Sequence, residues 1–344
     1  MQQERTEIQE LGEFGLIKHL TKNFEIQQAS TVLGIGDDAA VIDHFGKQTV
    51  VTTDLLVEGV HFDLMYTPLK HLGYKSVIAN LSDVFAMNAT PTQITVSVAF
   101  SNRFSVEALT EFYDGVYAAC EKYGVDLIGG DTSTSQKGFL ISVTALGEVA
   151  PNQFVKRSTA KEGDLVCVSG YLGAAFLGLT LLEREKKIYL ENPAIQPDLE
   201  QQDYIVGKLL KPEARQDIIQ YLEAQKIVPT AMQDVSDGLS SELLHICQQS
   251  EVGCVIHEDK IPVHDDARKA AFKFGLDPTV CALNGGEDYE LLFTISQSDY
   301  EKIVLNEEIS VIGYITNQPE KLQLVTRGGN THAITAQGWN SFAK

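Results

Sequence analysis

Six short segments carry carboxylates, most of them beside glycine: GIGDDAA (Asp37, Asp38), TTDLLVEGVHF (Asp54), NLSD (Asp83), IGGDTS (Asp131), DVSDGL (Asp234, Asp237) and NGGEDYEL (Glu287, Asp288). Hard divalent cations favour such oxygen-rich turns, and Mg²⁺ commonly completes its shell with waters and substrate phosphates. No single segment makes a site. Together they predict strand ends converging on a polyanion held through metal.

Each segment also has a plainer reading. Gly34 to Ala39 fits G-x-G-x-x-A, but that fingerprint needs helix amides facing a pyrophosphate, and here two carboxylates would face it. An Asp-Gly turn competes with metal binding there. Thr52, Thr53 and Asp54 are expected at a strand end, where hydroxyl, carbonyl and carboxylate serve one cation or simply finish a polar strand. His61 follows seven residues later. Asp83 lies close to a helix's apolar stripe, and burying it is costly unless it is paired or metal-bound. Gly129 and Gly130 permit close backbone approach to a phosphate or base, or a plain turn. Asp234 and Asp237 can share a metal across a turn, with Ser236 or backbone amides meeting phosphate at a helix N-terminus. Asp237 can equally cap that helix. Glu287, Asp288 and Glu290 put three acids within four residues, more than solubility asks for.

Absences narrow the chemistry. The chain has no G-x-x-x-x-G-K-[ST], H-R-D, D-F-G, H-E-x-x-H or G-x-S-x-G motif, so nucleotide phosphates would need another grip. Its net charge of −20 argues against nucleic acid or an anionic membrane as partner. The five cysteines lack C-x-x-C spacing and sit mostly in apolar runs, which predicts reduced core thiols and a cytoplasmic setting. The N-terminus is charged and shows no apolar signal core, and no stretch nears the roughly 18 apolar residues of a membrane span.

The elements that must position these residues read as α/β in α+β layers. Strands are expected at 49–57, 93–100, 125–130 and 139–149, with helices at 70–87 and 105–123, the latter capped by Ser105. This β-α-β-α-β-β order predicts helices on one face of a sheet. A polar boundary at 150–164 divides a domain of residues 1–150 from one of residues 151–344. In the second, strands are expected at LVCVSG, AMQDVSDG, CVIHE, ELLFTI, SVIGYI and LQLVT, with helices near 173–186, 204–224, 239–250 and 264–274.

The ordered set GIGDDAAVI, TTDLLVEGVHF, YKSVIANLSDVFAMNATP, IGGDTS, VKRSTAKEGD, DVSDGLSSEL and GGEDYELLFT resembles the thiamine-monophosphate kinase family across nearly the whole chain. The resemblance implies a two-domain fold like that of aminoimidazole-ribonucleotide synthetase. Its N-terminal sheet domain would bind ATP and Mg²⁺ and form a homodimer, and its C-terminal α/β domain would complete the site. It implies transfer of the ATP γ-phosphoryl group to thiamine monophosphate with several Mg²⁺ ions. The positions matching metal ligands are Asp38, Thr52, Thr53, Asp54, Asp83, Asp131, Asp234 and Asp237. Those matching nucleotide contacts are Tyr113, Gly130, Asp131, Arg157 and Ser236. His61, Glu287 and Trp339 match positions facing thiamine phosphate. Trp339, the only tryptophan, can stack on the cationic substrate or anchor the C-terminal tail. A selenophosphate synthetase would carry a reactive residue in the N-terminal loop, where this chain has no Cys. A hydrogenase-maturation enzyme would end in a Cys tail, and this chain ends WNSFAK. A non-catalytic nucleotide- or metal-binding homologue is the rival from another class. The acceptor's phosphate has a second pKa of roughly 6, so no general base is expected.

Overall fold

The computed structural model describes residues 19–33, 41–42 and 46–335. Asp37, Asp38 and Trp339 lie outside the described residues. The chain divides into two compact units, Met1–Val84 with Ala89–Asn152, and Phe85–Asn88 with Gln153–Lys344.

In the first unit, β1 (Thr31–Leu33) and β2 (Val41–Ile42) form a small antiparallel pair. The main sheet is built from β3 (Gln48–Val57), β4 (Thr90–Phe100), β5 (Asp126–Thr134) and β6 (Leu140–Val149), in the order β3-β6-β4-β5. Only β4 and β5 run parallel, because helix α2 (Val106–Tyr123) crosses over between them. Helix α1 (Leu69–Ala86) joins β3 to β4.

Period-two alternation sets one face of this sheet inward. Ile141, Val143, Ala145, Val96 and Val98 are buried, while Val51 and Leu55 on β3 are 62% and 55% exposed on the other face. The apolar positions of α1, Leu72, Val77, Ile78, Leu81 and Val84, are buried as their helical spacing predicts. Helices α1 and α2 meet backbone to backbone. A Cβ on Gly73 would stand 1.9 Å from the Phe112 carbonyl oxygen, and one on Gly115 1.8 Å from that of Lys70. Ser105 caps α2 by accepting the Ala108 N–H, and Gly124 ends it in a left-handed conformation.

The second unit holds a seven-stranded sheet ordered β13-β12-β9-β11-β7-β10-β8. Its strands are β7 (Leu165–Ser169), β8 (Ala231–Asp234), β9 (Gly253–His257), β10 (Leu291–Ile295), β11 (Ile309–Thr316), β12 (Leu322–Val325) and β13 (Thr331–Ala333). The helices are α3 (Ala174–Glu191), α4 (Asp203–Leu210), α5 (Gln216–Ala224), α6 (Leu239–Ser250), α7 (Asp265–Lys273), α8 (Pro278–Asn284) and the single-turn α9 (Tyr300–Ile303). Val166, Val168, Leu292, Cys254 and Ile256 pack with Leu177, Leu181, Leu243, Ile246 and Ala267 in one core. Met232, Phe293 and Cys167 form a row across three strands and are buried too, so β8, β10 and β7 are covered on both faces. That explains why β7 and β10 run mostly apolar without alternating. All five cysteines are buried and unpaired. Among the described residues no helix is long and apolar enough to cross a membrane.

An ion network sits inside this unit. The Glu290 carboxylate, 1% exposed, accepts from Arg215 at 2.6 Å, Ser169 at 2.6 Å and Lys208 at 3.2 Å. Arg215 also donates to Asp217 and Glu308. Removing one partner from a buried charge set strands the others. Arg215→Ala is therefore expected to destabilise the fold by about 3–5 kcal/mol, measured as a shift in urea unfolding. A loss below about 1 kcal/mol would show Lys208 and Ser169 to be sufficient for Glu290.

Candidate functional site

In the first unit the site is assembled where β3 lies against α1. Thr52 and Asp54 sit mid-strand, since β3 continues through Val57; the expectation of a strand end is corrected. Being two residues apart, they share a face. Thr52 Oγ1 donates to Asp83 Oδ2 at 2.7 Å. The Asp54 N–H donates to Asn80 Oδ1 at 3.1 Å, and Asn80 is itself tied to the Ser76 carbonyl. Asn80 and Asp83, three apart, lie on one side of α1.

Burial first, and then the charge of Asp83, push the Asp54 carboxyl from 3.8 up to about 6. Two carboxylates confined together favour either a shared proton or a cation. This donor set, carboxylate oxygens with a hydroxyl beside them, fits a hard divalent ion. Among the described residues no three His, Cys, Asp or Glu side chains form a ready-made metal cage.

Other predicted residues of this unit stand elsewhere. Thr53 points to the open face, where it donates to the Val143 carbonyl and accepts from Thr144. Asp131 also lies mid-strand, because β5 stays paired with β4 to Thr134; its expected place at a strand end is likewise corrected. The register sets Asp131 opposite Ser97, and Ser97 opposite Ser142, on the open face. Asp54 aligns instead with Val143 and Val96 on the helix-covered face. With β3 and β5 at opposite edges, the two positions are about 14 Å apart in strand spacing alone. One copy of this sheet does not bring Asp54 and Asp131 to one ion.

Gly130 has a packing reason to be glycine, since a Cβ there would stand 1.9 Å from the Val96 carbonyl oxygen. Tyr113 is 6% exposed among Phe112 and Tyr117, and burial pushes its hydroxyl up to about 12. His61 folds back on its own strand end, where Nδ1 accepts the Val57 N–H at 3.0 Å. That bond fixes the neutral tautomer, with the proton on Nε2.

In the second unit two predicted segments are laced together. Val235 N–H donates to the Glu290 carbonyl, Tyr289 N–H to that of Val235, and Glu287 N–H to that of Ser236. Asp234, Ser236, Asp237 and Glu287 are thereby gathered around one turn. The lacing demands unusual backbone: Glu287 and Tyr289 have φ of 57° and 52°, values that L-residues adopt at a cost. Gly286 at φ 76° allows the close pass, where a Cβ would meet the Ser236 carbonyl oxygen at 2.5 Å.

The three acids of the second segment divide their tasks. Asp288 is buried and accepts from Gly173 and Ala175 at 2.7 and 3.5 Å, capping α3 from a distance. Burial, against the pull of those amides, pushes it up to about 7. Glu290 belongs to the ion network, and Glu287 is half-buried beside the turn. Asp237 is raised, first by burial and also by Glu287, with His245 opposing.

The N-terminus of α6 departs from expectation. Its cap is Gly238, with no side-chain hydrogen bond, so Asp237 is not the cap. The Asp237 N–H donates to Glu242 Oε1 at 3.0 Å, and the Ser236 backbone also favours the charged form of that carboxylate. The Asp237 amide is therefore not open to phosphate. Arg157 is exposed, its carbonyl accepting from Ser250, and its charge reaches Glu242. Sequence reasoning passed over Asn80 and Glu242. Both stand in quoted motifs, NLSD and DVSDGLSSEL, three residues before Asp83 and five after Asp237.

Comparison with known proteins gives two family matches, "AIR synthase related protein, N-terminal domain" over residues 36–149 and the corresponding C-terminal domain over 161–325. The thiamine-monophosphate kinase of Bacillus subtilis is 34% identical, covering 96% of this chain and 100% of the relative. The crystal structure of that enzyme from Stenotrophomonas maltophilia matches with TM-score 0.78 and 33% identity, over 92% of this chain and 97% of the other. A structure described as "AaThiL complexed with AMPPCP and TMP" matches with TM-score 0.74 and 33% identity, over 99% and 100%.

The elevated Asp54 carboxyl yields a pH prediction. A folded pKa above 3.8 means that Asp54 supports the fold in full below about 3.8, and that this support is lost as pH rises through about 6. Without metal, the melting temperature should thus fall more between pH 5 and 7.5 in wild type than in Asp54→Asn. Near pH 7.5 the variant should melt at or above wild type while losing turnover. A variant melting well below wild type at both pH values would show that the carboxylate serves the fold instead.

Proposed function

The chain belongs to the AIR-synthase-related family and, within it, to the thiamine-monophosphate kinases, and from that membership we propose that it transfers the γ-phosphoryl group of ATP to thiamine monophosphate, giving thiamine diphosphate and ADP. The likeness to a relative described with AMPPCP and TMP, over almost the full length of both chains, carries this reading.

The residue roles follow from placement and resemblance together. Asp54 and Asp83, steadied by Thr52 and Asn80, would hold Mg²⁺ in the first unit, and Asp234 and Asp237 would do so in the second. Thr53 and Asp131 on the open face, and Asp38 outside the described residues, complete the ligand set by resemblance. Mg²⁺, when bound, would neutralise the meeting phosphates and align an in-line displacement. Tyr113, Gly130, Arg157 and Ser236 are assigned to ATP. Arg157 brings a fixed cation to the phosphates. Tyr113 can reach the nucleotide only through the small part of its surface left exposed. His61 offers its Nε2–H as a donor to the substrate's phosphate, Glu287 a carboxylate and Trp339 an aromatic face. The attacking phosphate oxygen is already mostly deprotonated near neutral pH, so no residue is assigned as general base.

We also infer a homodimer through the open face of the four-stranded sheet, where Val51 and Leu55 leave apolar surface among Thr53, Ser97, Ser142 and Thr144. Five unpaired buried thiols speak for a cytoplasmic setting.

Purified protein given ATP, Mg²⁺ and thiamine monophosphate should release ADP and thiamine diphosphate in equal amounts. Folded protein that yields neither product would end the proposal. Leu55→Arg should turn a dimer into a monomer by light scattering, and a dimer persisting in that variant would move the interface elsewhere.

A further inference from the structure

The turn from Asp234 to Gly238 raises a question of aim. It precedes helix α6, whose first amides would ordinarily attract an anion. Yet the two acids assigned to cations stand on that same turn. Left open, the Asp237 amide would draw a phosphate onto the turn itself, with Asp234 and Asp237 beside it and repelling it.

Glu242 removes that conflict. It lies on the first turn of α6 and is 1% exposed. Its carboxylate takes the Asp237 N–H at 3.0 Å, and the Ser236 backbone also favours its charged form. The Val235 N–H goes to the Glu290 carbonyl. The carbonyls of Val235 and Ser236 are engaged by Tyr289 and Glu287, and that of Gly238 by Ser241 and Glu242. The amides of Val235 and Asp237 and three carbonyls of the turn are thus held within the protein. What faces outward from the turn is the half-buried Asp237 and Ser236, with Asp234 buried beside them. The charged groups facing Glu242 are Asp237 and Arg157, and the His245 ring stands beside it with Nδ1 3.6 Å from Oε2.

We propose that Glu242 is a positioning residue, an internal carboxylate that occupies the α6 N-terminus in place of phosphate and so fixes the Asp234–Gly238 turn with its side chains aimed at cations. It touches no substrate in this role. The proposal rests on the reading of Asp234 and Asp237 as Mg²⁺ ligands, and it adds a reason why this helix start serves metal rather than anion.

The substitutions separate aim from support. In Glu242→Gln the side-chain oxygen can still accept the Asp237 N–H, but the negative charge is gone. In Glu242→Ala the Asp237 amide loses its acceptor and becomes available to an anion. Calorimetric titration with Mn²⁺ alone should show affinity falling at least tenfold in Glu242→Ala and by a smaller factor in Glu242→Gln. The Mg²⁺ concentration for half-maximal turnover should rise in the same order, with the KM for thiamine monophosphate within threefold of wild type. In wild type, the Asp237 amide should exchange slowly with deuterium before any ligand is added, and AMPPCP should not slow it further. Folded variants that bind Mn²⁺ like wild type would overturn the proposal. So would fast exchange at that amide that AMPPCP suppresses. If neither variant folds, the carboxylate holds the domain rather than aiming the turn, and the proposal is also overturned. Wild-type protein whose Mn²⁺ binding is unchanged by Asp234→Asn would instead remove the underlying metal reading, a result distinguishable from all of these.

Discussion

Confinement of like charge governs both candidate clusters. A carboxylate in partly dry surroundings loses much of its hydration, and a second one nearby adds repulsion that water no longer screens. At Asp54, burial and then the charge of Asp83 push the carboxyl up to about 6. Such a pair is poorly satisfied without a counter-charge. A protein that only had to fold would do better with an amide or an apolar side chain at one of the two positions. The strain becomes useful if the missing charge arrives with a phosphate ester, because cation and substrate then relieve one another's deficit.

The surrounding structure is arranged so that the chain cannot relieve that deficit by moving. In the first unit, Asp54 is held through its backbone by Asn80 and Asp83 through its side chain by Thr52. Both anchors depend on α1 lying in fixed register against an edge strand, and the close Gly73–Gly115 crossing with α2 limits any shift of that helix. In the second unit, the lacing of residues 287–290 onto 235–236 does the same for Asp237 and Glu287. Two non-glycine residues in left-handed conformation are maintained there, which the buried anchors Asp288 and Glu290 on the same segment make bearable.

Much of this was legible in the chain, unevenly. The spacing of Leu72, Val77, Ile78, Leu81 and Val84 gave α1, and the alternation of β4 gave a half-buried strand, because in both cases one face meets a core and the other does not. Thr52 to Asp54 and Asp131 were misplaced at strand ends. A polar residue inside a strand resembles a terminus when the partner strands that continue the ladder are unknown. Helix α8 passed unnoticed since seven residues carry too little periodicity, although Asp277 caps it ahead of Pro278. The acids of NGGEDYEL looked equivalent in sequence. Only burial and partners divide them into a remote helix cap, a network member and a half-exposed carboxylate.

Glu242 and Asn80 were hidden for a related reason. Composition and spacing flag residues that can touch a ligand, and these two touch the backbone that carries such residues. Their contribution is a direction rather than a donor atom. Phosphoryl transfer between two phosphate esters makes that kind of contribution weigh heavily. The nucleophile needs no deprotonation and the leaving ADP needs no acid, so little chemistry is left for a side chain to perform. What remains is bringing like charges to in-line contact and holding them there, where small errors of aim cost large factors in rate. A site under that demand should spend buried polar groups on orientation, and a carboxylate sealed beneath the Asp234–Gly238 turn fits it better than another ligand would.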